Sequence, residues 1–113
     1  MSHTFTKWDV WLARVAFEDE PNTRKTRPVL IAGDCMFVVG AYKMTSHVPR
    51  DDNEYLLVDF IAVGLRVPTT IRLSKYLSLG QSDMIKRLGR VSMRDAMAIQ
   101  GMLKRIDRHN RKL

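Results

Sequence analysis

The sequence predicts a mainly β (α+β) domain, with five or six short antiparallel strands in a strongly bent sheet or open barrel, packed on one C-terminal helix. Three observations carry this. Residues 8–79 hold a series of apolar, β-branched runs separated by polar, Gly or Pro breaks. The stretch Thr69–Leu79 alternates apolar and polar residues without interruption. Helical spacing of apolar residues begins only after Ser92, at Ala96, Ile99, Leu103 and Ile106. A chain of 113 residues with 45% hydrophobic content suits one domain, 1–113, with a real core.

In chain order, residues 1–7 read as a loose start. Trp8–Phe17 is aromatic and β-branched and reads as a buried first strand. Glu18–Thr26 is charged, contains Pro21-Asn22 and lacks periodicity, which predicts a long loop. Two apolar runs follow, Val29-Leu30-Ile31 and Met36–Met44, flanking Gly33-Asp34-Cys35. That pattern predicts a hairpin turning at the Gly-Asp break. Val48–Asn53 is a second polar loop and Glu54–Val58 another strand. Asp59–Leu65 suits one helical turn, with Asp59 as N-cap and Gly64 closing it. In Thr69–Leu79, Ile71, Leu73, Lys75, Leu77 and Leu79 share one face, and Thr70, Arg72, Ser74, Tyr76 and Ser78 the other. Met84–Val91 fits a short helix or a strand equally well. Ser92-x-x-Asp95 is a capping box for a helix over Met93–His109, whose basic end merges into a tail at 106–113.

The central hairpin, Lys25–His47, bears most directly on chemistry. Arg27 stands where its first strand begins, and Thr45, Ser46 and His47 stand where its second ends. Antiparallel pairing brings these ends together, setting a guanidinium beside hydroxyls and an imidazole. Pro28 holds Arg27 extended. Arginine's planar fork can grip two phosphoryl oxygens, and an imidazole with a pKa of about 6.5 suits proton transfer. Arg72, on the polar face of its strand, is a further phosphate ligand by type.

Composition narrows the classes. The net charge is +7, of which residues 82–113 supply +6 (nine Lys/Arg against three Asp/Glu). A basic C-terminal region suits a nucleic-acid partner, or equally a solvated helix end whose cations favour the dipole. No apolar run nears the roughly 20 residues that span a bilayer, and the N-terminus has no secretory h-region, so no membrane and a cytoplasmic location are expected. The single cysteine, Cys35, excludes an internal disulfide and any cysteine metal cluster. No cofactor and no metal site are expected, and Cys35 is too far along the hairpin from Thr45 to act as a nucleophile beside His47.

The order of motifs resembles a known family. Lys25-Thr26-Arg27-Pro28-Val29-Leu30-Ile31 followed by Lys43-Met44-Thr45-Ser46-His47 is similar to the MazF/PemK-type toxins of bacterial toxin–antitoxin modules. Gly64-Leu65-x-x-Pro68-Thr69-Thr70-Ile71-Arg72-Leu73 and Gly89-Arg90-Val91-Ser92-x-x-Asp95 resemble the PemK-like branch. The resemblance spans about residues 8–105. It implies an SH3-like small barrel acting as a homodimer. It also implies a metal-independent endoribonuclease that cuts single-stranded RNA through the 2′-hydroxyl, leaving 2′,3′-cyclic phosphate and 5′-hydroxyl ends. A cognate antitoxin protein would neutralise it. By the same resemblance Arg27 and Thr45 are catalytic; beside it, residue type and position make Ser46, His47, Arg72, Lys25 and Thr70 further catalytic or RNA-binding candidates. Some relatives carry an acid in an Asp-Gln-hydrophobic-Arg pattern, where this chain has Thr69 and Thr70, so the general base of those relatives has no match. Two other functions stay open on the same barrel: a non-catalytic RNA- or DNA-binding regulatory module, and a gyrase-poisoning toxin. The structural alternatives are an Arg27 ion pair to Glu18, Asp19 or Glu20, and local capping by Thr45 and Ser46.

Overall fold

The computed structural model describes residues 4–16, 23–35 and 37–111. The elements are β1 (Asp9–Ala16), β2 (Arg24–Cys35), β3 (Val38–Thr45), β4 (Glu54–Leu56), β5 (Thr70–Gly80), a single 3-10 turn (Gln81–Asp83), β6 (Met84–Arg90) and α1 (Met93–Arg111). All neighbours pair antiparallel in the order β4-β5-β3-β2-β1-β6. Among the described residues no pairing joins β4 to β6, so the six strands form an open, barrel-like sheet with one C-terminal helix.

Two cores occupy its two faces. One holds Phe5, Trp11, Ala13, Val15, Val29, Ile31, Val39, Ala41 and Leu79. The other holds Val10, Leu30, Met44, Ile71, Leu73 and Ile99, with Ala96, Met102, Leu103 and Ile106 of α1 packed against it. Strand parity explains the division in β1 and β2, where Trp11, Ala13 and Val15 oppose Val10, and Val29 and Ile31 oppose Leu30. At roughly 25 cal/mol per Å² of apolar surface, each fully buried Val, Leu or Ile contributes about 1.5–3 kcal/mol, so both faces stabilise the sheet.

β5 breaks the simple alternation. Tyr42 pairs with Tyr76, but the next residue, Lys43, pairs with Arg72. Leu73, Ser74 and Lys75 are therefore extra, and the strand changes face across them. Leu77 and Leu79 serve the first core, while Ile71 and Leu73 serve the second. The single apolar face expected for Ile71–Leu79 is thus split. The expected polar face also divides: Ser74, Tyr76 and Ser78 are exposed, whereas Thr70 is fully buried and Arg72 partly so. Tyr76 lies edge-on to Tyr42, with ring centroids 5.5 Å apart. Burial and then the neighbouring Tyr76 hold the Tyr42 phenol above its ordinary pKa. Gly40 makes room for Tyr76, whose ring would meet any Cβ there.

Several boundaries differ from expectation for physical reasons. The hairpin turns after Cys35, not at Gly33. Gly33 and Asp34 remain in β2, opposite Gly40 and Val39, and the register shift between Ile31 and Gly33 leaves Ala32 as the bulged residue. β2 begins at Arg24, because Arg24, Lys25 and Thr26 pair with Ala16, Val15 and Arg14 despite their charge. Glu18, Asp19 and Glu20 lie outside the described residues, so the expected Arg27 pairing with them does too. Phe5 is not loose: it is buried, its ring 4.8 Å from Trp11. Met84–Arg90 is a strand.

Beyond β4, Leu57 N still donates to Thr69 O, but the next two backbone donors turn to the helix. Asp95, fully buried, accepts from Val58 N and Asp59 N at 2.9 Å each and from the Tyr55 hydroxyl at 2.6 Å. The capping box is therefore half formed. Asp95 N donates to Ser92 Oγ at 3.1 Å, but the Asp95 carboxylate turns inward to anchor the helix on β4. Asp59 does not cap its own turn; it accepts from Ser92 Oγ at 2.6 Å and Arg94 Nη2 at 2.6 Å. Gly64 does close that turn, at φ +95°.

Candidate active site

The register of the central strands builds the site. Val29, Lys43, Arg72 and Glu54 form one row across β2, β3, β5 and β4. Two residues further along, towards the open end of the first core, Thr45 pairs with Thr70 and Thr70 with Leu56. Continuing β2 by the same two residues beyond Val29 reaches Arg27. The β2–β3 pairing ends at Val29 and Lys43, and Arg27 and Thr45, each two residues beyond it and on the same face by strand parity, both line one cleft. Lys43 and Arg72 lie one row inward, about 7 Å along the strands.

A cleft of about 520 Å³ opens over these rows. Arg27, Lys43, Thr45, Ser46, His47 and Arg72 line one side of it, and the turn that carries Arg66 supplies another wall. Its apolar surface comes from Val15, Pro28, Val29, Leu65 and Val67. No carboxylate stands among these lining residues. The volume is within the range of small-molecule sites and well beyond one phosphate group.

Each polar group is set by a specific contact. His47 N donates to Thr45 Oγ1 at 3.3 Å, closing a side-chain turn over Ser46. Because Thr45 Oγ1 accepts there, its own proton is available to donate elsewhere. The Thr70 hydroxyl donates to the His47 carbonyl at 2.6 Å. The 45–47 turn is thus held at both its N–H and its C=O, leaving Ser46 and the His47 side chain exposed. Arg27 is exposed at the rim, and its Nη1 reaches the Thr26 carbonyl at 3.4 Å.

Arg72 is fixed by Glu54, whose carboxylate is only 2% exposed. Glu54 Oε2 accepts from Arg72 Nε at 3.0 Å, and Oε1 accepts from Arg50 N at 3.0 Å. A buried carboxylate with both oxygens satisfied holds the guanidinium in one place in the cleft. The wall turn is fixed in the same way. Phe60 O accepts from Val63 N and Leu65 N, the Thr69 hydroxyl donates to Val67 O at 2.9 Å, and Leu57 N donates to Thr69 O at 2.9 Å. A Cβ on Gly64 would lie 3.0 Å from the Leu88 carbonyl.

The structure therefore brings Arg27, Thr45, Ser46, His47 and Arg72 to one cleft. Lys25 lies two residues further out along β2, outside the lining. Thr70 is fully buried, outside the lining, and acts on the turn through its hydroxyl. Sequence reasoning missed Lys43, Arg66 and Glu54. Lys43 was legible by parity, two residues before Thr45 on the same strand. Arg66 was not, because nothing in the sequence folds its turn over the sheet. Among the described residues no group of three His, Cys, Asp or Glu side chains is placed to hold a metal, and no helix is long and apolar enough to cross a membrane.

No family model matches this chain, and no curated protein matches it. Solved structures do. The toxin MazF-mt6 of Mycobacterium tuberculosis superposes with a TM-score of 0.67 at 18% identity, over 83% of this chain and 90% of that one. An endoribonuclease from a mycobacterial species, solved in complex with its cognate antitoxin, superposes with a TM-score of 0.66 at 15% identity, over 86% of this chain and 88% of that one. At such identities the likeness is one of fold, and it spans nearly the whole chain: this protein has the fold of the MazF-type toxins.

Proposed function

We propose that this protein is an endoribonuclease toxin that cuts single-stranded RNA without a metal and is neutralised by a cognate antitoxin. The observation that carries the reading is that Arg27 and Thr45 line one cleft together, beside the 45–47 turn. The fold shared with an endoribonuclease and a toxin supports it.

In this reading the RNA 2′-oxygen attacks the adjacent phosphorus, the bond to the 5′-oxygen breaks, and the products are a 2′,3′-cyclic phosphate and a 5′-hydroxyl. Three tasks follow: removing the 2′ proton, stabilising the phosphorane, and returning a proton to the 5′-oxygen. Arg27 stabilises the phosphorane with its guanidinium fork, and Thr45 donates its free hydroxyl proton to a further phosphoryl oxygen. His47, the one imidazole among the lining residues, takes the proton-transfer role. Arg72, held by Glu54, adds positive charge in the cleft. The protein works as a homodimer in this account, with the cleft as the RNA site of each subunit.

The test is cleavage of mixed-sequence single-stranded RNA in EDTA by wild type and Arg27→Ala, with thermal melting as the folding control. Loss of a single phosphorane-stabilising donor is expected to lower the rate by about 100-fold or more. One observation favours a second reading, a binding module that does not cut. No carboxylate stands among the described lining residues to serve as general base. Salt-dependent RNA binding by wild type with no cleavage in any buffer would establish that alternative.

A further inference from the structure

We propose that Arg66 binds a phosphate adjacent to the scissile one, so that the cleft holds at least two consecutive phosphates of a single strand. The inference rests on the RNA-binding part of the reading above and names how that strand is held.

Arg27, Lys43, Arg66 and Arg72 all line the cleft. The Arg72 charge is offset by Glu54 at 3.0 Å. Five other arginines are likewise committed: Arg24 to Asp83, Arg87 and Arg90 to Asp9, Arg94 to Asp59, and Arg105 to the Asp52 carbonyl. Arg66 has no hydrogen-bond or ion-pair partner among the described residues, and it stands in a cleft whose described lining contains no acid. A phosphodiester carries one negative charge. Arg27 and Lys43 face the reacting phosphate from the sheet, and Arg66 brings a further guanidinium to the cleft from a separate element.

Position agrees with this. Arg66 comes from the turn wall, on a different element from the row that carries Arg27 and Thr45. That turn is built rather than loose, closed by Gly64 at φ +95° and by the Thr69–Val67 and Leu57–Thr69 hydrogen bonds. A guanidinium on a fixed turn beside Val67 and Leu65 offers charge to a backbone phosphate without reading base identity.

Fluorescence anisotropy with a mixed-sequence 12-nucleotide RNA, 2′-O-methylated at every ribose to prevent cleavage, tests the proposal across a salt series. Each phosphate contact on a single strand contributes about 0.7 to the slope of log K against log [salt]. Arg66→Gln is expected to weaken binding about tenfold, equally for different sequences, and to reduce the slope by about 0.7. Arg66→Lys should keep the slope. Lys86→Gln, which removes the same charge from exposed β6 outside the cleft, should leave it unchanged. On cleavable RNA the Arg66→Gln loss should appear in KM. Equal slopes for wild type and Arg66→Gln, equal loss in Arg66→Gln and Lys86→Gln, or no salt-dependent RNA binding by wild type would each overturn the proposal. If wild type cuts RNA while Arg66→Gln binds like wild type, the nuclease reading stands and the Arg66 role falls. If wild type never cuts but Arg66→Gln loses the slope, the reverse holds.

Discussion

The start of α1 and the mouth of the cleft use charge in opposite ways. At the helix start every acid is answered. Asp95 collects Tyr55, Val58 and Asp59 donors, while Asp59 accepts from Ser92 and Arg94. Hydrogen bonds from Arg94 and Ser92 hold the Asp59 carboxyl below its usual range. Burial and the hydrogen bond to Asp95 push the Tyr55 phenol well above its own. At the cleft mouth cations gather with no acid among the described lining residues. Arg72 sits on the border, paired with Glu54 yet facing the cleft. The contrast lies in the lining: acids gather the donors at the helix start, whereas the described residues that line the cleft are basic and polar without an acid among them.

The two regions should separate under mutation. Asp95→Ala acts on the helix corner and carries the largest stability effect. It leaves the partly buried Tyr55 hydroxyl and two backbone donors without their acceptor, at a cost of about 3 kcal/mol. Urea denaturation should show this as a lower midpoint, while cleavage per folded molecule falls less than threefold at low temperature. A 100-fold loss of specific cleavage in the folded variant would erase the division between the regions.

Thr70→Val sharpens the comparison, because Thr70 is a buried residue that serves the cleft. It frees the His47 carbonyl and loosens the turn that presents Thr45, Ser46 and His47. Cleavage should fall about tenfold, mostly in kcat, with about 1–2 kcal/mol of stability lost. Thr70→Ser, which keeps the hydroxyl, should restore the rate. Recovery of stability without recovery of rate would show that Thr70 is structural only.

The smallest effect is acid dependence. Burial raises the Asp9 pKa, but hydrogen bonds from Arg87 and Arg90 outweigh it and leave the carboxyl below its ordinary value. Its folded pKa lies below the unfolded one, so its stabilisation is present above about pH 4 and is lost as pH falls through the folded value. Asp59 contributes in the same direction and the same window. Asp9→Asn should therefore be less stable than wild type at neutral pH and show a flatter loss of urea midpoint below pH 4. Parallel curves for the two proteins would remove Asp9 from the account.

Much of this was legible in the chain. The apolar runs located β1, β3, β5 and α1, and the hairpin logic brought Arg27 to Thr45 and His47. What escaped were features decided by tertiary pairing. Gly33-Asp34 carries a turn signal but lies in a bulged strand, because β3 continues to pair with it. The alternation of β5 is real, yet the three-residue offset after Tyr42 sends its two halves to different cores. That same offset places Thr70 and Arg72 on the face of Arg27 and Lys43. Asp95 reads as a cap, but its carboxylate serves β4, forty positions away in sequence from Tyr55. Glu54 carries no mark in sequence that it will hold Arg72.

The most direct test of the central claim is end analysis of single-stranded RNA incubated in EDTA with wild type or Arg27→Ala, both shown folded by their melting curves. The account predicts new 2′,3′-cyclic phosphate and 5′-hydroxyl ends with wild type, and at least about 100-fold fewer with Arg27→Ala at unchanged melting temperature. Equal cleavage by the two proteins would contradict it.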